Sequence, residues 1–320
     1  MTKPRERNFG HSARARLLAF AKQNGLDFTF ALQRYAMERL LYRMSVSSHA
    51  DDFILKGASL FLAWKGHNYR VTKDADFLAY GFVSEERLAE IFRGICLISG
   101  CEEDGLVFVP DSVQAQPIRE EQEYGGIRVT LLANLHNARI PLQVDIGFGD
   151  AVTPSPERVT FPSILGHPAA HLWAYTRYSV TAEKFEAIVQ LGIANSRMKD
   201  FYDIQLMSDL FEFNFETLRH AVKNTFDRRK TSIPEAQPFA FTQEFWADSQ
   251  KQAQWAAFLK KSRPEKPEHD FGKLVKAISG FLLPVLESLQ RGETQNLYWQ
   301  TGGPWKELKN EGTAQPAPQA

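Results

Sequence analysis

Two cysteines in 320 residues, Cys96 and Cys101, are too few for a disulfide framework, and their spacing matches no zinc motif. That usage suits a reducing compartment, so the expected location is the cytoplasm. No apolar run approaches the ~20 residues of a membrane span. The stretch "LLAFAKQNG" behind the basic N-terminus is too short and too soon interrupted for a secretory signal, and no membrane partner is expected. Net charge is missing as well: Lys+Arg and Asp+Glu both number 38, so no whole-chain field draws in a polyanion. A nucleic acid would have to meet a local patch. Candidates are Arg5, Arg7, Arg14 and Arg16, then Arg228-Arg229-Lys230, then Lys260-Lys261-Ser262-Arg263, although such runs are usually solvated faces. There is no internal repeat, and no Gly-x4-Gly-Lys-Ser/Thr phosphate loop.

What is present is ordinary globular material, 43% hydrophobic and 24% charged, at a length that suggests about two domains. Residues 28–45 place Met37, Leu40, Leu41 and Met44 on one helical face, with Arg34, Arg39 and Arg43 on the polar side. Phe53-Ile54-Leu55 reads as a buried strand, followed by a turn and a short helix with Ser59 as N-cap and Gly66 as stop. A strand "DADFLAYG", a helix opened by Ser84, and a hairpin of "GIRVTLLANL" with "RIPLQVDIGFG" come next. The Pro-rich stretch 153–168 marks a boundary, and helical segments succeed it. The fold class is α+β: a mixed-sheet core with N-terminal helices and a C-terminal helical domain. The expected division is a helical lead-in over 1–50, a sheet domain over 51–165, a helical domain over 166–290, and a tail over 291–320 that ends in disorder.

The chemistry concentrates in 54–81, "ILKGASLFLAWKGHNYRVTKDADFLAYG". On a strand Asp74 and Asp76 share a face, and their repulsion is relieved by a cation between them. Mg²⁺ prefers such oxygen ligands and keeps substrate phosphates in its shell. An isolated Asp-x-Asp is weak evidence, since aspartate is common at strand ends. In "PLQVDIGFG", however, Leu142, Val144 and Ile146 occupy one face and leave Asp145 on the other, costly unless coordinated or paired. Beside the first strand it would complete a three-carboxylate site for two divalent ions about 3.5–4 Å apart. The Lys56-Gly57-Ala58-Ser59 turn leads into a helix N-terminus, a place that favours phosphate. Arg70 could pair with a phosphate or hold an aspartate in place.

"LKGASLFLAW" with "RVTKDADFL", then "LQVDIGFGD", then "YSVTAEKFEAIVQLGIANSRMKDFYDI" together resemble the AbiEii/AbiGii-type nucleotidyltransferase toxins, in the polymerase β-like superfamily. The resemblance covers roughly residues 30 to 210. It implies a nucleotidyltransferase core and metal-dependent transfer of a nucleoside monophosphate from an NTP to an acceptor hydroxyl, typically a tRNA 3′ end. The enzyme would be the toxin of a toxin–antitoxin pair with a cognate antitoxin. By the same resemblance Asp74, Asp76 and Asp145 bind Mg²⁺ (or Mn²⁺). Lys56, Gly57, Ala58, Ser59 and Arg70 hold the nucleotide, and Lys184 and Asp200 belong to the active site. Ala58 departs from the usual Gly or Ser. The pattern places Lys184 at a helix start, where a lysine opposes the dipole unless a phosphate calls for it. An exposed lysine beside Glu183 and Glu186 is the plainer alternative, as is a local salt-bridge net for Arg197, Lys199, Asp200 and Asp203. An RNA acceptor calls for a basic groove, expected from Arg34, Arg39 and Arg43. Nucleotidylation of a protein or small molecule, or a non-catalytic nucleotide-binding regulator, are the competing readings.

Overall fold

The computed structural model describes residues 8–66, 74–81, 83–118 and 125–308, which divide into two compact units. The first runs to Thr176 and includes Lys261–Pro267; the second takes Arg177–Lys260 and the chain from Glu268 onward.

In the first unit the elements are α1 (Phe9–Gln23), α2 (Phe28–Ser45), β1 (Phe53–Lys56), α3 (Leu60–Lys65), β2 (Ala75–Ala79) and α4 (Glu85–Cys96), followed by β3 (Leu106–Ile118), β4 (Gly126–Leu135), β5 (Ala138–Phe148), β6 (Glu157–Phe161) and β7 (Ala170–Ala174). Among the described residues their strands form one mixed sheet, ordered β3-β4-β5-β2-β1-β7-β6. β2 is parallel to β5 and β1 to β7, while the remaining pairs are antiparallel. The mixed α/β class read from sequence is the one observed. Local signals explain the helix starts: Asp27 accepts from Phe30 N–H at 2.9 Å to open α2, and Ser84 accepts from Arg87 N–H at 3.2 Å to open α4.

One sheet face is largely apolar. Phe53 and Phe77 meet edge to face at 6.1 Å, and Phe53 packs on Phe92 of α4 at the same distance. β3 carries Pro110 and Pro117 and a register shift between Val109 and Gln114, features an edge strand tolerates because one side of its backbone needs no partner. β6, the opposite edge, lies inside the Pro-rich stretch. Both cysteines are free and buried, and burial pushes the Cys96 thiol up to about 11.

The polar side expected of α2 does not face water. Arg39 and Arg43 are 1% and 3% exposed, and both bond to Asp104 in the turn Glu102–Asp104, at 3.1 and 2.7 Å. Arg39 also donates to the Pro168 carbonyl at 2.7 Å, and the Glu38 carboxyl, raised by burial, accepts from Ile164 N–H at 2.8 Å. Buried charge requires partners of this kind. Arg34 is half-buried over the Phe20 ring at 5.9 Å. The arginines of α2 therefore fasten loops to the core, and the basic groove expected from them is not formed by Arg39 and Arg43.

The second unit contains α5 (Arg177–Leu191), α6 (Met198–Leu210), β8 (Phe213–Asn214), α7 (Phe215–Arg228), α8 (Gln243–Trp246), most of α9 (Ser249–Ser262), α10 (Phe271–Arg291), β9 (Leu297–Trp299) and β10 (Trp305–Glu307). Aromatic packing dominates its core. Trp255 stacks on Phe271 at 5.2 Å and donates to the Glu268 carbonyl at 3.0 Å, while Phe281 meets Trp299 at 4.8 Å. The chain after 291 thus contributes two strands; the end expected to be disordered, from 309, lies outside the described residues.

Candidate active site

β1 ends at Lys56, and Gly57 turns the chain with φ +77°. A β-carbon on Gly57 would overlap Asp76 Oδ2 and lie 3.0 Å from Asp76 Cγ. Both the backbone angle and the space therefore demand glycine. Gly57→Ala is expected to cost about 2 kcal/mol through the left-handed backbone alone, with a further loss as Asp76 is pushed aside. Urea unfolding checks this, and an unchanged midpoint would contradict the crowding.

The helix whose N-terminus was expected to favour phosphate at this turn is short. α3 has only 6 residues, and Ser59 makes no side-chain cap bond. Its Oγ instead donates to the Lys56 carbonyl at 3.3 Å, and Ala58 and Ser59 are both buried. What the turn provides is close approach of backbone to Asp76.

Sheet register then gathers the charges. Arg128 of β4 pairs with Asp145 of β5, Asp145 with Asp76 of β2, and Asp76 with Lys56 of β1. Registered neighbours point to the same face, so cation, anion, anion and cation form one row across four strands. The two ends of the row are anchored. Lys56 Nζ donates to Asp150 Oδ2 at 2.8 Å. Arg128 grips Asp145 with two bonds, Nε to Oδ1 and Nη2 to Oδ2, both 2.8 Å. Hydrogen bonding to Asp145, with the added charge of Asp145, Asp74 and Asp76, raises the Arg128 guanidinium above its ordinary range. Arg128 had no place in the sequence reading. Counting residues back from the short hairpin turn is the signal that would have found it.

Asp74 stands exposed immediately before β2. It borders a cleft of ≈ 570 Å³ together with Gln33, Gln114, Thr130, Arg139 and Gln143, a lining rich in neutral amide and hydroxyl groups. Arg70 lies outside the described residues.

In the second unit, Lys184 is not at a helix start. α5 begins at Arg177, so Lys184 lies mid-helix and needs no phosphate to offset a dipole. Its Nζ donates to Asp200 Oδ1 at 2.8 Å and reaches Asp203 Oδ2 at 2.8 Å, with both carboxylates fully buried. Arg197 Nε adds a 2.7 Å bond to Asp200 Oδ2. Burial alone would push the Asp200 carboxyl up, but the charges of Lys184 and Arg197 outweigh it and hold the group below its ordinary value.

The family model described as nucleotidyl transferase AbiEii toxin, type IV toxin–antitoxin system, matches residues 39–277. The chain belongs to the AbiEii family. It is accordingly a nucleotidyltransferase toxin, with an NTP substrate and an antitoxin partner. Solved structures with a similar course include JHP933 from Helicobacter pylori, at 12% identity and TM-score 0.47 over 82% of this chain and 97% of that one. Another is an H. pylori protein assigned as a nucleotidyltransferase, at 12% identity and TM-score 0.45 over 84% and 100%. A search of curated proteins gave no match. No helix among the described residues is long and apolar enough to cross a membrane.

Nucleotidyltransferases generally use divalent metals, and the carboxylate donors here suit Mg²⁺, which takes hard oxygen ligands. Among the described residues, though, no three acidic, His or Cys side chains are gathered into a metal-binding cluster. Register brings Asp76 and Asp145 together, while the Arg128 fork holds the Asp145 carboxylate to itself. The residues fit the ion in kind, with Asp145 engaged elsewhere.

Proposed function

We propose that this AbiEii enzyme transfers a nucleoside monophosphate from an NTP to the 3′-terminal hydroxyl of a tRNA in the cytoplasm, with Mg²⁺ held by Asp74, Asp76 and Asp145. The observation that carries the reading is the pairing of Asp76 with Asp145 on adjacent parallel strands, with the Gly57 turn pressed against Asp76. The acceptor oxygen bonds to the α-phosphorus, its proton is lost, and the bond to the bridging oxygen breaks to release pyrophosphate. Bound Mg²⁺, for which Mn²⁺ is a substitute, would neutralise phosphate charge. Asp76 and Asp145 offer the paired negative charge that localises the ion. Gly57, lacking a side chain, lets a phosphate approach the backbone, and Lys56, Ser59 and Arg70 complete the nucleotide-binding set. Lys184 and Asp200 enter the proposal on the resemblance alone.

Nucleotidylation of a protein or small molecule is the second reading. It is favoured by the burial of Arg39 and Arg43, which removes two of the three cations an RNA groove was expected to use. Purified protein with Mg²⁺, each α-labelled NTP in turn and total tRNA, beside Asp74→Ala, tests the pair. Label entering tRNA only with the aspartate intact supports the first reading. No label in RNA with any NTP discards it, and label entering a protein of a cell lysate would then establish the second. Label in neither would revive a non-catalytic regulator.

A further inference from the structure

The Arg128–Asp145 pair is more specific than a surface ion pair. Both carboxylate oxygens are engaged by a planar fork. With its oxygen toward Arg128, the Gln143 amide accepts from Nε and Nη2 at 3.1 Å, which steers the guanidinium along the strand. Yet the pair is reachable from solvent, the Arg128 and Asp145 side chains being 43% and 21% exposed. A group so placed can let go without unpacking the core. The sheet also fixes the direction of the contact: Asp145 has Arg128 on its β4 side and Asp76 on its β2 side. One carboxylate thus stands between a permanent cation and a second carboxylate.

We propose that Arg128 is a resident counter-ion of Asp145, a positioning residue that a divalent cation entering between Asp145 and Asp76 must displace. The inference rests on the metal reading given above. In the absence of an ion, like charges on neighbouring strands repel, and the guanidinium quenches one of them. An ion arriving there must compete with a bidentate grip for Asp145. Arg128 therefore lowers the intrinsic affinity for metal and keeps the Asp145 carboxylate oriented until the ion arrives.

Mn²⁺ binding, read as loss of the free-ion EPR signal in a titration of the full chain without nucleotide, tests this apart from activity. Arg128→Gln is expected to bind Mn²⁺ about three- to tenfold more tightly than the parent. Arg128→Lys keeps the charge and loses the fork, and is expected to follow Arg128→Gln. Arg93→Gln removes an exposed cation from α4 as a charge-matched control, and is expected to bind as the parent does. Unchanged or weaker binding by Arg128→Gln overturns the proposal. Equal tightening by Arg93→Gln also overturns it, because general charge would then be the cause. Asp76→Asn and Asp145→Asn separate the two levels. If both lose Mn²⁺ while Arg128→Gln is unchanged, only the counter-ion role fails. If both bind as the parent does, the metal reading fails and the counter-ion falls with it.

Discussion

Asp76→Asn is expected to lower nucleotide transfer on the order of 10³-fold or more, the scale of losing a charge-stabilising group in phosphoryl-type transfer. The amide keeps the shape of the carboxylate, so the contact with Gly57 and the strand pairing with Lys56 and Asp145 persist. What disappears is one of two adjacent negative charges, the feature proposed above to localise a divalent cation. Because Asp76 stands between a like charge, Asp145, and an opposite one, Lys56, the substitution removes both a repulsion and an attraction and is expected to leave thermal stability nearly unchanged. Single-turnover transfer from an α-labelled NTP, run beside a melting curve, checks both halves. A variant that melts normally and works within tenfold of the parent would remove Asp76 from the mechanism.

Lys184→Met is expected to destabilise the protein by about 3–5 kcal/mol, the cost of removing one partner from a buried ion pair. Lys184 Nζ lies 2.8 Å from both Asp200 Oδ1 and Asp203 Oδ2, and the carboxylate side chains are only 1% and 0% exposed. Methionine fills the volume and leaves buried negative charge. Acidity should reveal the cause. The parent's Asp200 has a depressed pKa, so its stabilising contribution is complete above about pH 4, the unfolded value, and is lost as pH falls through the lower folded one. Without the lysine, burial pushes that carboxyl up, so the variant is penalised at pH 7 and relieved as pH falls through its raised value. The gap between the two proteins should narrow from pH 7 toward pH 4. Urea unfolding at both pH values measures it. A gap below 1 kcal/mol, or one indifferent to pH, would contradict the account. Adding Asp200→Asn and Asp203→Asn to the methionine variant should restore part of the loss, since neutral amides place no demand for a cation.

Periodicity revealed more of the fold than of its charges. The range of α2 was legible from its 3.6-residue pattern, yet the same pattern put Arg39 and Arg43 toward water. Their partner, Asp104, lies more than 60 residues away, and a burial supplied by tertiary contact leaves no local trace. β3 was missed because two prolines argue against a strand in general, and only its edge position makes them harmless. The start of α5 was set too late, since Thr181 offers a capping hydroxyl as Thr176 does and a β-branched valine lies between them. The helix-start argument for a phosphate at Lys184 lapses with it, since Lys184 lies mid-helix. The acidic pair fared better. The alternation around Asp145 is a local pattern, and the adjacency of Asp76 and Asp145 follows once their strands are neighbours.

The β4–β5 hairpin pairs Leu135 with Ala138 beside the turn and Arg128 with Asp145 at the other end. At ~3.4 Å per residue the turn is roughly 24 Å along the strand from the carboxylate it serves. A slip of one residue in this ladder would point Arg128 into the apolar layer. A slip of two would keep it on the proper face but carry it about 7 Å past Asp145. His136 and Asn137 therefore act as a ruler for chemistry they never touch. The hairpin can change its sequence at the bend far more freely than it can change its count.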